Sequence, residues 1–175
     1  MTNLTNSYVS DVWQQARRET IFPAGSAANE FGVVAVGGML TPFWVLNAYA
    51  NGIFPWPLDL DEETEEKALG WFCPDPRTVL IPADLHIPRR LKRKMRSGRF
   101  RVTSDQSFET VVAECSSPRL IEGELETGTW ITNEVKSVYA DLHVKGIAHS
   151  IEVWQDDVLV GGLYGIAVGT IFCGE

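Results

Sequence analysis

The pattern of apolar and polar positions is clearest near the C-terminal end of the chain. Residues 148–154 alternate in part and residues 158–163 form a short apolar run, both typical of strands, and residues 155–157 between them form a turn sequence. Residues 165–172 can hold a third strand, so the pattern predicts an antiparallel meander. The sequence reaches Glu175 at the end of that strand, where a sheet would keep an unpaired edge. We therefore expect further elements after it.

Helical periodicity with capping signals precedes the meander. Thr41 suits an N-cap, Pro42 suits the first helical position, and Gly52 can take the left-handed conformation that ends a helix. Further helices are predicted at 88–97, at 107–115 and from Thr132 to Gly146, with a short strand at 100–103. This order of helices, short strand and meander is typical of acetyltransferase-like (GNAT-type) α+β domains.

The N-terminal part of the chain has a different character. Residues 1–30 are polar and rich in small side chains, so we expect a flexible entry into the fold. Residues 53–57 and 70–77 combine aromatic residues with prolines, which predicts rigid extended or turn segments rather than helices.

Two further segments precede a predicted boundary between two domains. Residues 59–66 carry six carboxylates and predict a mobile surface loop, and residues 78–81 predict a strand that ends at Pro82. A boundary near residue 82 would divide the chain into two domains. The first, 1–81, is a small α/β domain, and the second, 82–175, is a GNAT-like α+β domain that we expect to be incomplete at its C-terminal end.

Composition places the chain among ordinary globular proteins, with 45% apolar and 22% charged residues in a length of 175. No apolar run reaches the roughly 18 residues of a membrane-spanning helix. The N-terminal residues lack the apolar core of a secretion signal, so a cytoplasmic protein is expected.

The chain's cysteines and histidines indicate neither a metal site nor a disulfide framework. The three cysteines are Cys73, Cys115 and Cys173, and none forms a CxxC pair. The three histidines also lack metal-binding spacing. We interpret the cysteines as buried, reduced thiols and the histidines as structural or solvent-facing residues.

The net charge of −8 hides a basic segment. Eight of the fifteen basic residues lie between Arg89 and Arg101, with no acidic residue among them. The charges surround the predicted helix instead of alternating in sign, which favours contact with a phosphate backbone. A solvated charged helix is the alternative interpretation.

Aromatic side chains on connecting segments are the other candidate binding groups. Trp56, Trp71, Phe72 and Trp130 all lie near glycine, proline or threonine. Exposed rings in such positions can stack on a base or line an apolar pocket, and the alternative is that they fill the seam between two domains. Glu175 could hydrogen-bond a ribose or a base, or hold an amine.

Several common catalytic signatures are absent from the sequence. It contains no GxxxxGK[ST] phosphate loop, no GxGxxG after a strand and no GxSxG turn. The pyrophosphate-binding turn of CoA-dependent acetyltransferases is also missing, which disfavours an acetyltransferase despite the predicted fold.

Seven segments together resemble the leucyl/phenylalanyl-tRNA–protein transferase family. They are residues 34–42, 48–56, 71–77, 128–132, 149–154, 161–165 and 169–175. Among them are Gly-Ile-Phe-Pro-Trp before residue 57, Trp-Phe-Cys-Pro-Asp-Pro-Arg at 71–77 and Gly-Thr-Ile-Phe-Cys-Gly-Glu at 169–175. The resemblance runs from about residue 22 to residue 175.

The resemblance implies a reaction and its substrates. The family moves Leu or Phe from a charged tRNA to the N-terminal Arg or Lys of a protein, which marks that protein for degradation. An aminoacyl ester is already activated, so no cofactor, ATP or metal is expected. The enzyme has to position the amine against the ester and stabilise the oxyanion.

The resemblance also implies roles for individual residues. Trp56 and Trp130 would hold the 3′-terminal adenosine, with Trp71 and Phe72 in the same substrate site. Glu175 would hydrogen-bond there and is the candidate catalytic residue. The amino-acid pocket would be lined by Leu163 and Phe172, and the tRNA would be contacted by Arg89, Arg90, Arg93 and Lys94.

One departure from the family pattern concerns length. Family members continue for some tens of residues, with an Asp-x-Gln motif implicated in peptide-bond formation. We therefore expect a truncated family member, and the alternative is a noncatalytic protein that binds tRNA or aminoacyl-adenosine.

Overall fold

The computed structural model describes residues 2–61, 66–121, 123–126 and 129–175. The α-helices of these residues are α1 Thr2–Arg18, α2 Pro42–Ala50, α3 Arg89–Arg96, α4 Phe108–Cys115 and α5 Asn133–Val144. The strands are β1 Val33–Val36, β2 Phe54–Asp61, β3 Glu66–Phe72, β4 Arg101–Ser104, β5 Arg119–Ile121, β6 Glu124–Glu126, β7 Ala148–Gln155, β8 Val158–Val168 and β9 Ile171–Gly174.

Helix α1 contradicts the prediction of a flexible N-terminal segment. Its Trp13 and Ala16 are buried, with Val9 and Val12 partly buried beside them, at the spacing of one helix face. Asn47 on α2 fixes the end of the helix, because its side-chain amide donates to the carbonyls of Ala16 and Glu19. The segment is helical because α2 gives its narrow apolar face a partner, which local composition does not reveal.

Helix α2 confirms its predicted capping signals. The Thr41 hydroxyl accepts a hydrogen bond from the Trp44 amide, and Pro42 occupies the first helical position. Gly52 follows the helix with φ +75°, the left-handed conformation expected there.

The N-terminal sheet contains three strands in the order β1-β3-β2, and both pairs are antiparallel. The expected α/β character of this part is therefore wrong, since its strands do not alternate with helices in a parallel sheet. Residues 53–57, predicted to be extended, enter β2, where Pro55 lies opposite Trp71. Pro55 is tolerated because β2 is an edge strand and needs no amide on its open side.

Two predictions between the sheets need correction. Asp59–Asp61 and Glu66 belong to strands β2 and β3, so the acidic run is not a loop throughout, and residues 62–65 lie outside the described part. Residues 78–81 form no strand, and their apolar side chains are exposed. Their β-branched sequence favours a strand, but none of the strands in the described ranges pairs with them.

The C-terminal sheet has the order β4-β7-β8-β9, with every pair antiparallel, which confirms the meander and the short strand before it. Asp156 and Asp157 form the predicted turn, both with positive φ. The boundaries of the last two strands were wrong, because β8 continues through Gly165 to Val168 and β9 has only four residues.

Helices α4 and α5 pack on one face of this sheet, which makes the fold α+β. The strand residues that point toward the helices are fully buried. They are Ala148, Ser150 and Glu152 on β7 with Tyr164 and Ile166 on β8. The opposite face is open, and its exposed apolar side chains include Ile151, Leu163 and Phe172. Alternation along each strand produces this division.

Glu152 is a buried carboxylate with a full set of donors. Its Oε1 accepts from the Ser150 hydroxyl at 2.5 Å and the Ser107 amide at 3.3 Å, and its Oε2 accepts from the Thr103 hydroxyl at 2.5 Å. Burial raises the pKa of Glu152, but these hydrogen bonds outweigh it and the net pKa is lowered. The Glu152 side chain therefore connects β4, β7 and the start of α4 by hydrogen bonds.

Two histidines lie near this network and have structural partners. His143 stacks on Phe108, with ring centroids 4.1 Å apart, and His149 Nδ1 is 2.8 Å from Asp105 Oδ2. Among the described residues no group of three metal-ligating side chains occurs. In the same residues, no helix has both the length and the apolar character to cross a membrane.

Candidate functional site

Glu175 lies where helices α2 and α5 meet the end of β9. Its backbone amide donates to the Tyr164 carbonyl at 2.9 Å, which continues the pairing with β8. The Tyr49 hydroxyl donates to Glu175 Oε1, and the hydroxyls of Tyr49 and Tyr139 are 3.0 Å apart. Two tyrosines from different helices therefore surround one carboxyl group.

Burial controls the electrostatics of this cluster. It raises the pKa of Glu175 to about 7, although the hydrogen bond from Tyr49 and the charge of Arg77 act in the opposite direction. The pKa values of Tyr49 and Tyr139 are raised well above their usual range, also chiefly by burial. At neutral pH both tyrosines stay protonated, so each hydroxyl can donate one hydrogen bond and accept others, while Glu175 can gain or lose a proton.

Trp56 and Trp130 form an aromatic pair beside the carboxyl cluster. Their ring centroids are 5.1 Å apart with an interplanar angle of 35°, and Trp56 remains exposed. The edge of Trp130 meets Tyr139 at 6.5 Å and 78°. A continuous line of rings thus runs from the exposed Trp56 to the buried hydroxyl groups around Glu175.

The structure separates the other two predicted aromatic residues from this pair. Trp71 lies in β3 and is completely buried, with its indole nitrogen bonded to the Gly37 carbonyl at 2.9 Å. Its predicted exposure on a connecting segment is wrong, because the alternation of β3 turns it into the core, where it contacts Phe22. Phe72 is half-buried and stacks on Phe54 with centroids 6.1 Å apart.

Leu163 and Phe172 lie on the open face of the C-terminal sheet, whereas Glu175 points to the helix-covered face. The Leu163 methyl is 3.2 Å from where a side chain of Gly174 would begin, and the Phe172 ring similarly lies over Gly165. Strand alternation places Tyr164 and Glu175 on the other side. The structure therefore brings Trp56 and Trp130 together and links them through Tyr139 and Tyr49 to Glu175, but it places Leu163 and Phe172 on the other face of the sheet.

Helix α3 carries the predicted tRNA contacts Arg89, Arg90, Arg93 and Lys94. None of its side chains is buried, and its apolar residues Leu91 and Met95 are also exposed. Pro88 precedes the helix and Gly98, with φ +70°, follows it. The predicted helix is confirmed, and its positive charge is fully available to solvent.

Sequence reasoning missed Tyr49, Tyr139 and Arg77 as members of the cluster. Tyr49 and Arg77 lie in segments 48–56 and 71–77, which resemble the family, but neither residue is predicted to take part in the site. Tyr139 has the spacing of a core residue on α5. Tyr49 reaches Glu175 across 126 residues of sequence, Tyr139 reaches Tyr49 across 90, and Arg77 acts on Glu175 through its charge. No local signal in the sequence indicates such long-range interactions.

Two grooves elsewhere contain none of the predicted site residues. One of 280 Å³ lies between α4 and α5, and one of 290 Å³ lies between α4 and β8. Their walls hold no close set of titratable groups comparable with the Glu175 cluster, which remains the better candidate among the described residues.

Comparison with known proteins gives an independent result. Residues 79–175, more than half of the chain, match the family model described as leucyl/phenylalanyl-tRNA protein transferase, and residues 38–75 match the model of its N-terminal domain. Both matches include residues of the Glu175 cluster.

Curated relatives have the same family name. The chain is 46% identical over 158 residues to the leucyl/phenylalanyl-tRNA–protein transferase of Anaeromyxobacter sp. (strain K), which covers 90% of this chain and 64% of the relative. It is 50% identical over 144 residues to that of Aromatoleum aromaticum, covering 82% and 56%. It is 44% identical over 164 residues to that of Ectopseudomonas mendocina, covering 93% and 68%.

The chain thus spans between 56% and 68% of the length of these relatives. Identity at this level over most of the chain, together with the two model matches, goes beyond a shared architecture. The chain belongs to the leucyl/phenylalanyl-tRNA–protein transferase family.

Proposed function

We propose that the protein transfers Leu or Phe from an aminoacyl-tRNA to the N-terminal Arg or Lys of acceptor proteins and so marks them for degradation by the N-degron pathway. The observation that supports this proposal most directly is the pairing of Trp56 with Trp130 next to Glu175 in a member of this family. Stacking rings beside a hydrogen-bonding carboxyl group suit the terminal adenosine of a tRNA.

The aromatic pair would hold the adenine, and Glu175 would hydrogen-bond the same nucleoside. Tyr49 would orient the carboxyl group, because its hydroxyl already donates to Glu175 Oε1. Since the pKa of Glu175 is raised to about 7, the group is ionised in part at neutral pH and can accept or donate there.

Leu163 and Phe172 would contact the transferred side chain from the open face, and helix α3 would contact tRNA phosphates. Since Leu163 and Phe172 lie on the opposite face of the sheet from Glu175, the aminoacyl ester would extend from one face to the other past β9, the last strand of the described sheet. The proposal includes a GNAT-type fold for the C-terminal part, a division into domains near residue 82, and action in the cytoplasm, where charged tRNA is found.

The second candidate is a noncatalytic protein that binds tRNA or aminoacyl-adenosine. It is favoured by the chemistry of the cluster, since the raised pKa values of Tyr49 and Tyr139 keep both hydroxyls protonated, so neither can act as a base near neutral pH. Binding and positioning would then be the whole function of these residues.

A transfer assay with radiolabelled Leu-tRNA and a peptide that begins with Arg tests the proposal. The chain should label this peptide but not one that begins with Asp. Trp130→Ala should lower transfer by about tenfold or more, since stacking on a base contributes about 1–3 kcal/mol. Phe31→Ala, which removes an exposed ring elsewhere, should have no effect.

Two outcomes separate the candidates. Transfer that requires Trp130 supports the enzyme. If the chain binds Leu-tRNA but transfers nothing, the binding protein is the better description. Reversal of Arg89, Arg90, Arg93 and Lys94 to Glu should abolish tRNA binding in either case, and unchanged affinity at low salt would remove helix α3 from the interface.

A further inference from the structure

Arg77 is held in a fixed position at the edge of the candidate site. Its Nη1 donates to the Gly52 carbonyl at 2.9 Å, and its Cζ lies 4.7 Å from the centroid of the Phe54 ring. The hydrogen bond and the cation–π contact together restrain a side chain that is otherwise flexible. Its orientation is therefore set by strand β2 and by the turn that precedes it.

Most of the guanidinium remains available to a ligand. It has five N–H donors, and the Gly52 carbonyl uses one of them. Arg77 is exposed, and within the described residues no carboxylate forms a salt bridge with it. Its charge also lowers the pKa values of Glu175 and Cys173 against the effect of burial, so it lies near that end of β9.

The position of Arg77 is related to the aromatic pair by the geometry of β2. Phe54 and Trp56 are two residues apart in β2, so their side chains leave the same face of the strand from backbone positions about 7 Å apart. Arg77 covers Phe54, while Trp130 contacts Trp56. A nucleoside stacked on Trp56 would therefore lie beside the Arg77 guanidinium, which covers Phe54, the next side chain on the same face of β2.

We propose that Arg77 binds the 5′-phosphodiester of the terminal nucleotide of an RNA whose base stacks on Trp56 and Trp130. This inference rests on the proposed function and adds a phosphate contact to it. A guanidinium presents two parallel donors that fit two phosphate oxygens, which an ammonium cannot do. Arg77 would fix the ribose between the stacked base and the Glu175 carboxyl group, so it is a positioning residue.

The test compares adenosine with its 5′-(methyl phosphate) diester, using the quenching of tryptophan fluorescence. The wild-type protein should bind the diester about tenfold more tightly, as one charged hydrogen-bonded contact contributes about 1.5–3 kcal/mol before screening by solvent. Arg77→Gln should remove this preference, so that the variant binds the diester and adenosine with equal affinity. Arg77→Lys should keep part of the preference, because the charge remains without the planar fork.

Arg101→Gln is the matched control. Arg101 also lies over an aromatic ring, with its Cζ 5.2 Å from the Trp154 centroid, but on the C-terminal sheet. This variant should retain the full preference for the diester.

Thermal melting should show that Arg77→Gln is folded. If it is not folded, the Arg77→Lys variant and the salt dependence of wild-type binding test the phosphate contact instead. The diester should show a log–log salt slope more negative by about 0.7 than adenosine.

The outcomes distinguish this inference from the function on which it rests. If adenosine binds but the diester has no advantage, or if Arg77→Gln keeps the advantage, the phosphate role is overturned and the adenosine site stands. If neither ligand binds, the nucleoside site fails as well. The trinucleotide CCA should show the same dependence on Arg77, whereas a preference for free adenosine 5′-monophosphate over CCA would overturn the assignment to RNA.

Discussion

The two faces of the C-terminal sheet carry different kinds of residues. The face under α4 and α5 contains the buried polar residues Glu152 and Ser150, which are hydrogen-bonded to each other. The open face presents Leu163 and Phe172, which are apolar and exposed. Neighbouring residues of one strand therefore contribute very differently to the free energy of unfolding, and the face on which a side chain lies determines its contribution.

The largest expected effect concerns adjacent residues of β7 on opposite faces. Glu152→Ala should destabilise the fold by about 3 kcal/mol or more, because the donors from Ser150, Thr103 and Ser107 would lose their acceptor. Ile151→Ala should cost less than about 1 kcal/mol, since Ile151 is 39% exposed while Glu152 is fully buried. Urea unfolding measures both, and equal losses would show that burial on the covered face does not control stability.

A second prediction concerns Glu175, whose side chain turns to the covered side. Its pKa of about 7 in the folded protein exceeds the ordinary value of 4.5. The folded state therefore binds more protons between these values, so this group's contribution to stability falls as pH rises through that window. Glu175→Gln stays neutral, and its stability relative to the wild type should increase by about 2 kcal/mol from pH 5 to pH 8.

Urea unfolding of the two proteins at matched pH values tests this prediction. The comparison cancels the opposite behaviour of Glu152 and Asp105, whose pKa values are lowered and whose stabilisation is lost as pH falls. A stability difference that stays constant with pH would mean that Glu175 is well solvated.

The smallest effect compares neighbouring glycines of β8. A side chain at Gly162 would begin 2.9 Å from both methyls of Val111 on α4, whereas one at Gly161 would have Val153 at 3.9 Å as its nearest neighbour. Gly162→Ala should therefore cost about 1–2 kcal/mol through overpacking, and Gly161→Ala should be close to neutral. Thermal melting of both variants provides the measurement, and a larger loss for Gly161→Ala would reverse the assignment of the faces.

Much of the fold could be predicted because its signals are local. The N-caps Thr41 and Thr132 both accept the expected amide, and the basic helix begins and ends close to its predicted bounds. The N-terminal helix and residues 78–81 show the opposite situation. Their outcome depends on whether a partner surface exists, which a short stretch of sequence does not contain.

The candidate site was predicted only in part for a related reason. Trp56 and Trp130 are brought together as expected, but Trp71 is in the core, and the predicted pocket residues are on the other face of the sheet from Glu175. A shift of one residue along a strand reverses the face of every side chain. Aromatic identity alone therefore cannot separate a binding residue from a core residue.

The sequence by itself determined the family, the helix caps, the meander and the concentration of positive charge between Arg89 and Arg101. Each of these depends on residue identities close together or on the order of motifs. Only the tertiary structure decided that Tyr49 and Tyr139 enclose Glu175 and that Arg77 covers Phe54. These contacts join distant parts of the chain, and the packing of α2, α5 and the two sheets creates them.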